Sequence, residues 1–478
     1  MIRRAAVRAI LCVPALSAML ALGCSGAFLV PNPPVEEAPK KAEGQPLPDR
    51  RAATDEFDFS KAFEDGEGRR DTSAGVREGA APRAQAAYSL RYPPIRMQKR
   101  LVRVMVRQSV HEAAVYSSAT AHLRTGKVNT TFKGRMHVEA LYGGASAAAT
   151  VGRAKRELRL PCTLYVSSAG ANLLELGESS YRGALVITQD EGGGMSFINV
   201  LDMEDYLRGV VPLEIGNLKS QDIEAVKAQA VAARTYAYRR MAQRAAAAFD
   251  LVHTVSDQVY GGANAEAPTS DMAVRLTKDL VMAYDDGLIS AYYHSTCGGR
   301  TANIEDVWGG EAYPYLRSVS DVAPVGRAYC GESSSFSWTE RWSVGRLAAI
   351  IRRYSAEGNL NPPFGAGALR SVEVRERFAC GRVKTLSVVS SSGEHVTGGD
   401  KARFLLRRDG NMNQVLRSAK FNSASISGGE AVISGGGYGH GIGMCQVGAI
   451  GRARAGQDFE QILRAYYSGI SIRSIVQE

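Results

Sequence analysis

Fifty glycines in 478 residues break the apolar content of this chain into short runs. Glycine weakens helix interiors and supplies turn conformations. That punctuation argues against long helical bundles and for short strands joined by turns. Leu101–Val106 and Ala184–Ile187 are such runs, the second opened by Tyr181-Arg182-Gly183. Residues 93–200 therefore read as a small β-rich module. Helices enter after 200. Met203–Val211 can form one, which Pro212 should stop. Ser220 is placed to N-cap a second, with Ile223, Val226, Ala230, Val231 and Ala233 on its buried face and Ala228, Ala232 and Ala237 allowing close packing. Strands return at Leu288–Tyr293, Leu386–Val389, Phe404–Leu406 and Ala431–Ile433. The glycine run Gly435–Gly443 then leads into a helix that Gly456 ends. Asp458 and Gln461 form a capping-box pattern for a final helix, Phe459–Tyr467. The expected class is α+β: mixed helices and short strands over 201–478, with the β-rich module inserted in that domain or packed on it.

The first 92 residues have a different character. Met1–Arg8 is basic, Ala9–Leu22 apolar, and Gly23-Cys24-Ser25 follows. Residues 1–24 have the layout of a secretory signal peptide of the lipoprotein kind, with Cys24 as the lipidated residue. Residues 25–92, rich in Pro, Glu, Lys, Ala and Gly, read as a linker without a core of its own. The body is then expected in the cell envelope, outside the cytoplasm, held to a membrane through the lipid. The net charge of +10 suits an anionic partner such as a wall polymer or a phospholipid surface. Nucleic acid is not expected, for want of arginine-rich runs interleaved with aromatics. With Cys12 in the leader and Cys24 lipidated, five cysteines remain, at 162, 297, 330, 380 and 445. An odd count outside the cytoplasm leaves an unpaired thiol or a metal site.

Four stretches could carry chemistry. In EDYLRGVVPLE (204–214), Glu214 follows the proline-terminated helix among Val210, Val211, Leu213 and Ile215. Apolar surroundings raise a carboxyl pKa, as a general acid at neutral pH requires. In YYHSTCGGRT (292–301), His294 and Cys297 stand three apart beside a Gly-Gly turn. With Cys330 they could bind one metal, or Cys297 and Cys330 could pair as a disulfide. Gly435–Gly443 contains His440 but fits neither the dinucleotide-binding glycine pattern nor a Walker loop. What remains is a backbone that must approach something closely. DQVYGG (257–262) offers an acid, an amide and an aromatic, groups suited to sugar recognition.

In this order these pieces resemble the SpoIID family, which includes stage II sporulation protein D and the LytB amidase enhancers. The matching blocks are EDYLRGVVPLEI, EAVKAQAVAARTYAY, DQVYGG, AYYHSTCGGRTANIEDVW and GYGHGIGMCQVGAIGRARAGQDFEQILRAYYSGI, spanning about 180–475. The resemblance implies a peptidoglycan lytic transglycosylase that cuts the MurNAc–GlcNAc bond without water. Its products would carry 1,6-anhydroMurNAc ends, and its substrate would be glycan strands stripped of stem peptides. It maps the catalytic role to Glu214. Candidate substrate contacts in these blocks are Gln258, Tyr260, Tyr293, Ser295, Tyr438 and His440. The resemblance also associates zinc with the Cys-Gly-Gly turn, favouring a metal at His294, Cys297 and Cys330. One carboxyl suffices for such a reaction, whereas glycosidases commonly use two. The alternative is a non-catalytic wall-binding protein that activates a cell-wall amidase. Two departures bear on the site. The family's GMSQWGA is Gly443-Met-Cys-Gln-Val-Gly-Ala449 here, and its Met-Pro after the glutamate is Ile215-Gly216.

Overall fold

The computed structural model describes residues 91–97, 101–126, 128–141, 145–166, 173–190, 192–408 and 414–477. The leader, Cys24 and nearly all of the linker lie outside the described residues. The remainder is α+β, as the residue pattern predicts. Its largest element is an eleven-stranded sheet. Along the main path the strands run Leu251–Val252, Val102–Val110, Met195–Leu201, Ala184–Gln189, Cys162–Val166, Glu112–Thr125, Val128–Leu141, Ser146–Val151 and Ala154–Arg159. All these pairings are antiparallel except that of Leu251–Val252 with Val102–Val110. Alternating burial along Val102–Val106 follows from the period of two in a strand.

The apolar side of this sheet shares one core with the helices that follow. At its centre is the Ile223–Gln243 helix. Ala225, Val226, Ala228, Ala230, Val231, Ala232, Ala233 and Ala237 are all fully buried there. A helix lined by alanine can be packed on nearly every side because neighbouring backbones approach closely. It begins at Ile223, two residues later than an N-cap at Ser220 would give, since Ser220–Asp222 forms a 3₁₀ turn. Arg234 is buried within it, and its guanidinium forms an ion pair with Glu204 at 2.6 Å. That pair ties the central helix to the one carrying Glu214.

The Met203–Ile215 helix runs through Pro212 rather than ending at it. Proline within a helix costs about 3 kcal/mol. Val210, Val211, Pro212 and Ile215 are buried, and each large apolar side chain contributes roughly 1.5–3 kcal/mol. Packing therefore carries the helix one turn further, and Glu214 sits on its last turn rather than in a loop. Gly209 is required on the face toward DQVYGG, where an added Cβ would come within 2.5 Å of the Tyr260 ring.

A second core occupies residues 338–433, within a stretch where the sequence shows no boundary. It contains the sheets Trp338–Ser343/Glu430–Gly435/Ser425–Ser427 and Leu369–Arg377/Val383–Ser390/Gly393–Gly398. Phe404–Leu406, expected as a strand, falls largely in the short helix Lys401–Leu405. Ala402 and Leu405, three apart, are both buried, a helical spacing that a three-residue apolar run does not reveal. Leu288–Tyr293 is not one strand but two short pairings, Gly287–Leu288 and Tyr293–His294. Pro94–Met97 and Ser471–Gln477 pair in parallel, closing the described chain on itself. Among the described residues no helix is long and apolar enough to cross a membrane.

Candidate functional site

Four segments distant in sequence meet at Glu214. The helix end supplies the carboxyl. The loop after the central helix supplies the backbone N–H of Val259, which donates to Glu214 Oε1 at 2.7 Å. Tyr293, on the short strand Tyr293–His294, and Gln446, the first residue of the Gln446–Arg454 helix, add side-chain hydrogen bonds. The Gln258 amide donates to the Tyr293 oxygen at 3.0 Å, leaving the phenol proton for the carboxyl. Its carbonyl accepts from the Tyr206 hydroxyl at 3.1 Å, and its amide also reaches the Ala233 carbonyl at 3.3 Å. Gln446 Nε2 donates to Gln229 on the central helix at 3.3 Å.

Burial pushes the Glu214 carboxyl up to about 7, against the downward pull of the hydrogen bonds from Val259, Gln446 and Tyr293. Glu214 retains part of its surface to solvent, and its neighbour Leu213 is 41% exposed. The group is thus enclosed by protein yet reachable. Asp257, which with Glu214 flanks the Tyr206 hydroxyl, is differently placed. It is held by Arg240 at 3.0 Å, Arg244 at 2.8 Å and the Val252 N–H at 2.9 Å. Its oxygens are committed to structure, so among the described residues Glu214 stands as a lone carboxyl.

The glycine run explains itself by close approach. Tyr293–His294 pairs in parallel with Met444–Cys445. At Gly443, with φ of 67°, a Cβ would lie 2.1 Å from the Tyr292 carbonyl oxygen. The backbone predicted to approach something closely approaches the chain's own 292–297 segment, and so carries Gln446 to Glu214.

The other residues singled out in the sequence fall in distinct places. Tyr260 is buried, its hydroxyl bonded to Asn199 at 2.7 Å and its ring 5.1 Å from that of Tyr206. It lies between sheet and helix, below the carboxyl. The half-buried Ser295 turns its hydroxyl to Thr296 at 3.2 Å. The half-buried Tyr438 exchanges backbone bonds with Thr296. His440 accepts the Ile442 N–H at 3.0 Å, and burial pushes its imidazole down to about 4, so it is neutral. Its ring packs 5.1 Å from Trp308 and 5.5 Å from His294.

The metal expectation is redistributed. Cys297 and Cys330 do come together, Sγ to Sγ at 3.5 Å, as free thiols. Their partners are Asp321 and Cys445, not His294. The donor atoms of these four buried residues lie within 4.8 Å of one another, a group able to hold a metal ion. His294 instead turns Nδ1 to the Ile442 carbonyl at 3.1 Å, with Nε2 buried and without a partner. The bend at Ser295 separates the two: His294 is bonded to the Ile442 carbonyl while Cys297 faces Cys330 and Asp321. Asp321, Gln446 and the place of Cys445 beside the other thiols escaped the sequence reading. Gln446 and Cys445 lie inside the glycine block, where the Cys-for-Ser replacement was a signal. Asp321 carries no local signal and is found only by the fold.

Comparisons with known proteins match several parts of the chain. The family model described as "Stage II sporulation protein" matches residues 191–284. A "Domain of unknown function (DUF8618)" matches residues 326–443, which contain the whole of the second core. An uncharacterized protein of Brachyspira hyodysenteriae is 32% identical over 58% of this chain and 68% of its own length. The amidase enhancer of Bacillus subtilis is 28% identical over 56% of this chain, which spans only 40% of that protein. Stage II sporulation protein D of Bacillus subtilis is 28% identical over 57% of this chain and 74% of its own length. The matched family segment includes the Glu214 helix, the central helix and the Val259 loop, the scaffold on which the lone carboxyl is built, and the chain belongs to the SpoIID family.

Proposed function

We propose that the protein is an extracytoplasmic lytic transglycosylase acting on peptidoglycan glycan strands from which the stem peptides have been removed. The observation that supports this reading most is a reachable carboxyl pushed up to about 7, with no free carboxylate beside it among the described residues. Two-carboxylate hydrolysis needs a second free group, and Asp257 is already committed. In the one-carboxyl route, protonated Glu214 donates to the glycosidic oxygen as its bond to C1 breaks. The carboxylate left behind is met by Val259 N–H, Tyr293 and Gln446, donors already in place. It then takes the proton of the sugar's own C6 hydroxyl as O6 bonds to C1. One proton passes from O6 to the leaving oxygen through Glu214, and no water is consumed.

Tyr293 is the donor that orients the carboxyl, with Gln258 holding the phenol. Leu213, Ser295 and Tyr438 are the candidates for contact with the sugar, and the altered Val447 marks where that contact differs from relatives. Mass spectrometry of products from peptide-free and peptide-bearing glycan is the deciding experiment. Anhydro-ended fragments from peptide-free glycan, lost in Glu214→Gln, are expected. Water-added reducing ends, or equal release by wild type and variant, refute the assignment. The likeness to an amidase enhancer supports a second reading, in which the protein binds the wall and stimulates an amidase. That reading predicts glycan binding and stimulation untouched by Glu214→Gln. The leader and Cys24 point to a lipid-held envelope location, which intact-mass analysis of membrane-extracted protein tests.

A further inference from the structure

We propose that Cys297, Cys330, Cys445 and Asp321 form a three-sulfur, one-oxygen site for a thiolate-seeking divalent cation of the zinc class, and that its occupancy fixes Gln446 against Glu214. The spacing fits such an ion. Tetrahedral zinc with bonds of about 2.3 Å to sulfur and about 2.0–2.2 Å to oxygen sets sulfurs roughly 3.7 Å apart and sulfur and oxygen roughly 3.5 Å apart. Cys297 Sγ lies 3.5 Å from Cys330 Sγ and 3.3 Å from Asp321 Oδ2.

The surroundings are arranged for charged sulfur. Cys445 Sγ receives the backbone N–H groups of Cys297 at 3.2 Å and Gly448 at 3.3 Å. Those of Gly298 and Gly299 point to Cys330, from two residues with positive φ that form an anion-binding nest. Asp321 presents only Oδ2 to the sulfurs, because Oδ1 is held by Arg452 at 3.0 Å and by the Tyr466 hydroxyl at 2.8 Å. Outer partners of this kind orient metal ligands.

Charge balance supplies an independent argument. Arg382 is buried, and its Nε and Nη2 have no hydrogen-bond partner. Asp400 lies within its electrostatic reach but is already paired with Arg403 at 3.0 Å, so the buried guanidinium is short of counter-charge, which is costly. Arg382 and Lys420 both lie within electrostatic reach of Cys297. Three thiolates and a carboxylate around a divalent ion leave a net negative centre, which Arg452, Lys420 and Arg382 neutralise. A Cys297–Cys330 disulfide would remove two thiolates from this balance.

The consequence for the carboxyl runs through one bond. Cys445 is both a donor to the ion and the N-cap of the helix whose first residue is Gln446. Holding Cys445 fixes where Gln446 starts. This second clause rests on the catalytic reading of Glu214; the metal itself does not.

The test uses the full chain purified with zinc and then desalted, and in parallel with cobalt. Zinc at one equivalent per chain is expected, with thiolate-to-cobalt charge-transfer absorption in the cobalt form. Cys445→Ser should weaken that absorption. Tyr466→Phe, which keeps every ligand, should lower zinc affinity roughly 10–100-fold in chelator competition. His294→Ala and Glu214→Gln should retain the metal. Protein free of zinc, metal lost in His294→Ala but kept in Cys445→Ser, or a Cys297–Cys330 disulfide found by alkylation under denaturing conditions overturns the site. Stripped, folded protein with unaltered kcat and pH profile overturns the link to Gln446 while leaving the metal standing, and loss of activity in Glu214→Gln is read separately.

Discussion

Replacing Glu214 by Gln removes a titrating group while keeping an oxygen for the Val259 N–H, so the variant isolates the energetic consequence of burying this carboxyl. The folded carboxyl stands at about 7 against an ordinary value of 4.5. At about 1.4 kcal/mol per pH unit, the difference is worth roughly 3 kcal/mol. The folded value is raised, so between 4.5 and 7 the native protein holds a proton that the unfolded chain has released. Wild-type stability from this group is then fully present below 4.5 and is lost as pH rises through about 7. Gln has no such loss. Urea unfolding followed by tryptophan fluorescence at several pH values should show the two proteins differing by a fixed amount in acid. The difference should move in favour of Glu214→Gln by up to about 3 kcal/mol above neutral, somewhat less because part of the group meets solvent. A stability difference that does not vary with pH would show that Glu214 titrates like a surface carboxylate, and with that the general-acid argument fails.

Transglycosylase rate should fall above about pH 7 as Glu214 loses its proton; a rate flat to pH 9 contradicts the assignment. Tyr293→Phe removes a hydrogen bond that favours the carboxylate, so the descending limb should move to higher pH while kcat drops; a limb moved to lower pH refutes the geometry. Tyr260→Phe strips the partner from the buried Asn199 oxygen and should cost about 1–2 kcal/mol of stability with KM unchanged; a large KM effect with stability intact would make Tyr260 a substrate contact instead. Gly443→Ala sets a Cβ against the Tyr292 carbonyl at a positive φ, and should destabilise by about 2–4 kcal/mol in thermal unfolding.

The local elements were the most legible. The capping box at Asp458 and Gln461 forms both of its hydrogen bonds, and the final helix runs Phe459–Tyr466. A cap is written in four consecutive residues and needs nothing from elsewhere. Pro212 misled because its penalty is local while the burial that overrides it comes from the large sheet and the DQVYGG loop. The second core was invisible for a related reason: its strands, such as Val383–Ser390, look like any other short apolar run, and only their partners set them apart. At the site, Glu214 was legible from its apolar neighbours, but what holds it was not. Val259 contributes through its backbone, which no side-chain pattern reports. Asp321 is one aspartate among many until Arg452 and Tyr466 turn its free oxygen toward the thiols.

That dependence on distant partners has a mechanistic consequence. The carboxyl is raised because several segments enclose it, and only one of them belongs to its own helix. Two others, Tyr293 and Gln446, arrive through the short parallel pairing of Tyr293–His294 with Met444–Cys445. Two-residue strands pair weakly by themselves. What secures this pairing is the glycine backbone lying against Tyr292, and Tyr467, whose hydroxyl donates to the Tyr292 carbonyl at 2.7 Å. Any local opening there admits water to Glu214 and withdraws two of its donors together. Burial is the larger effect on the carboxyl, so the opened state should let its pKa fall toward the ordinary range, leaving it ionised at neutral pH. An open site is then also an inactive acid. Protonation of Glu214 thus depends on the 438–446 segment being in place, so a variant that loosens it, such as Gly443→Ala, should lower the pH at which activity falls.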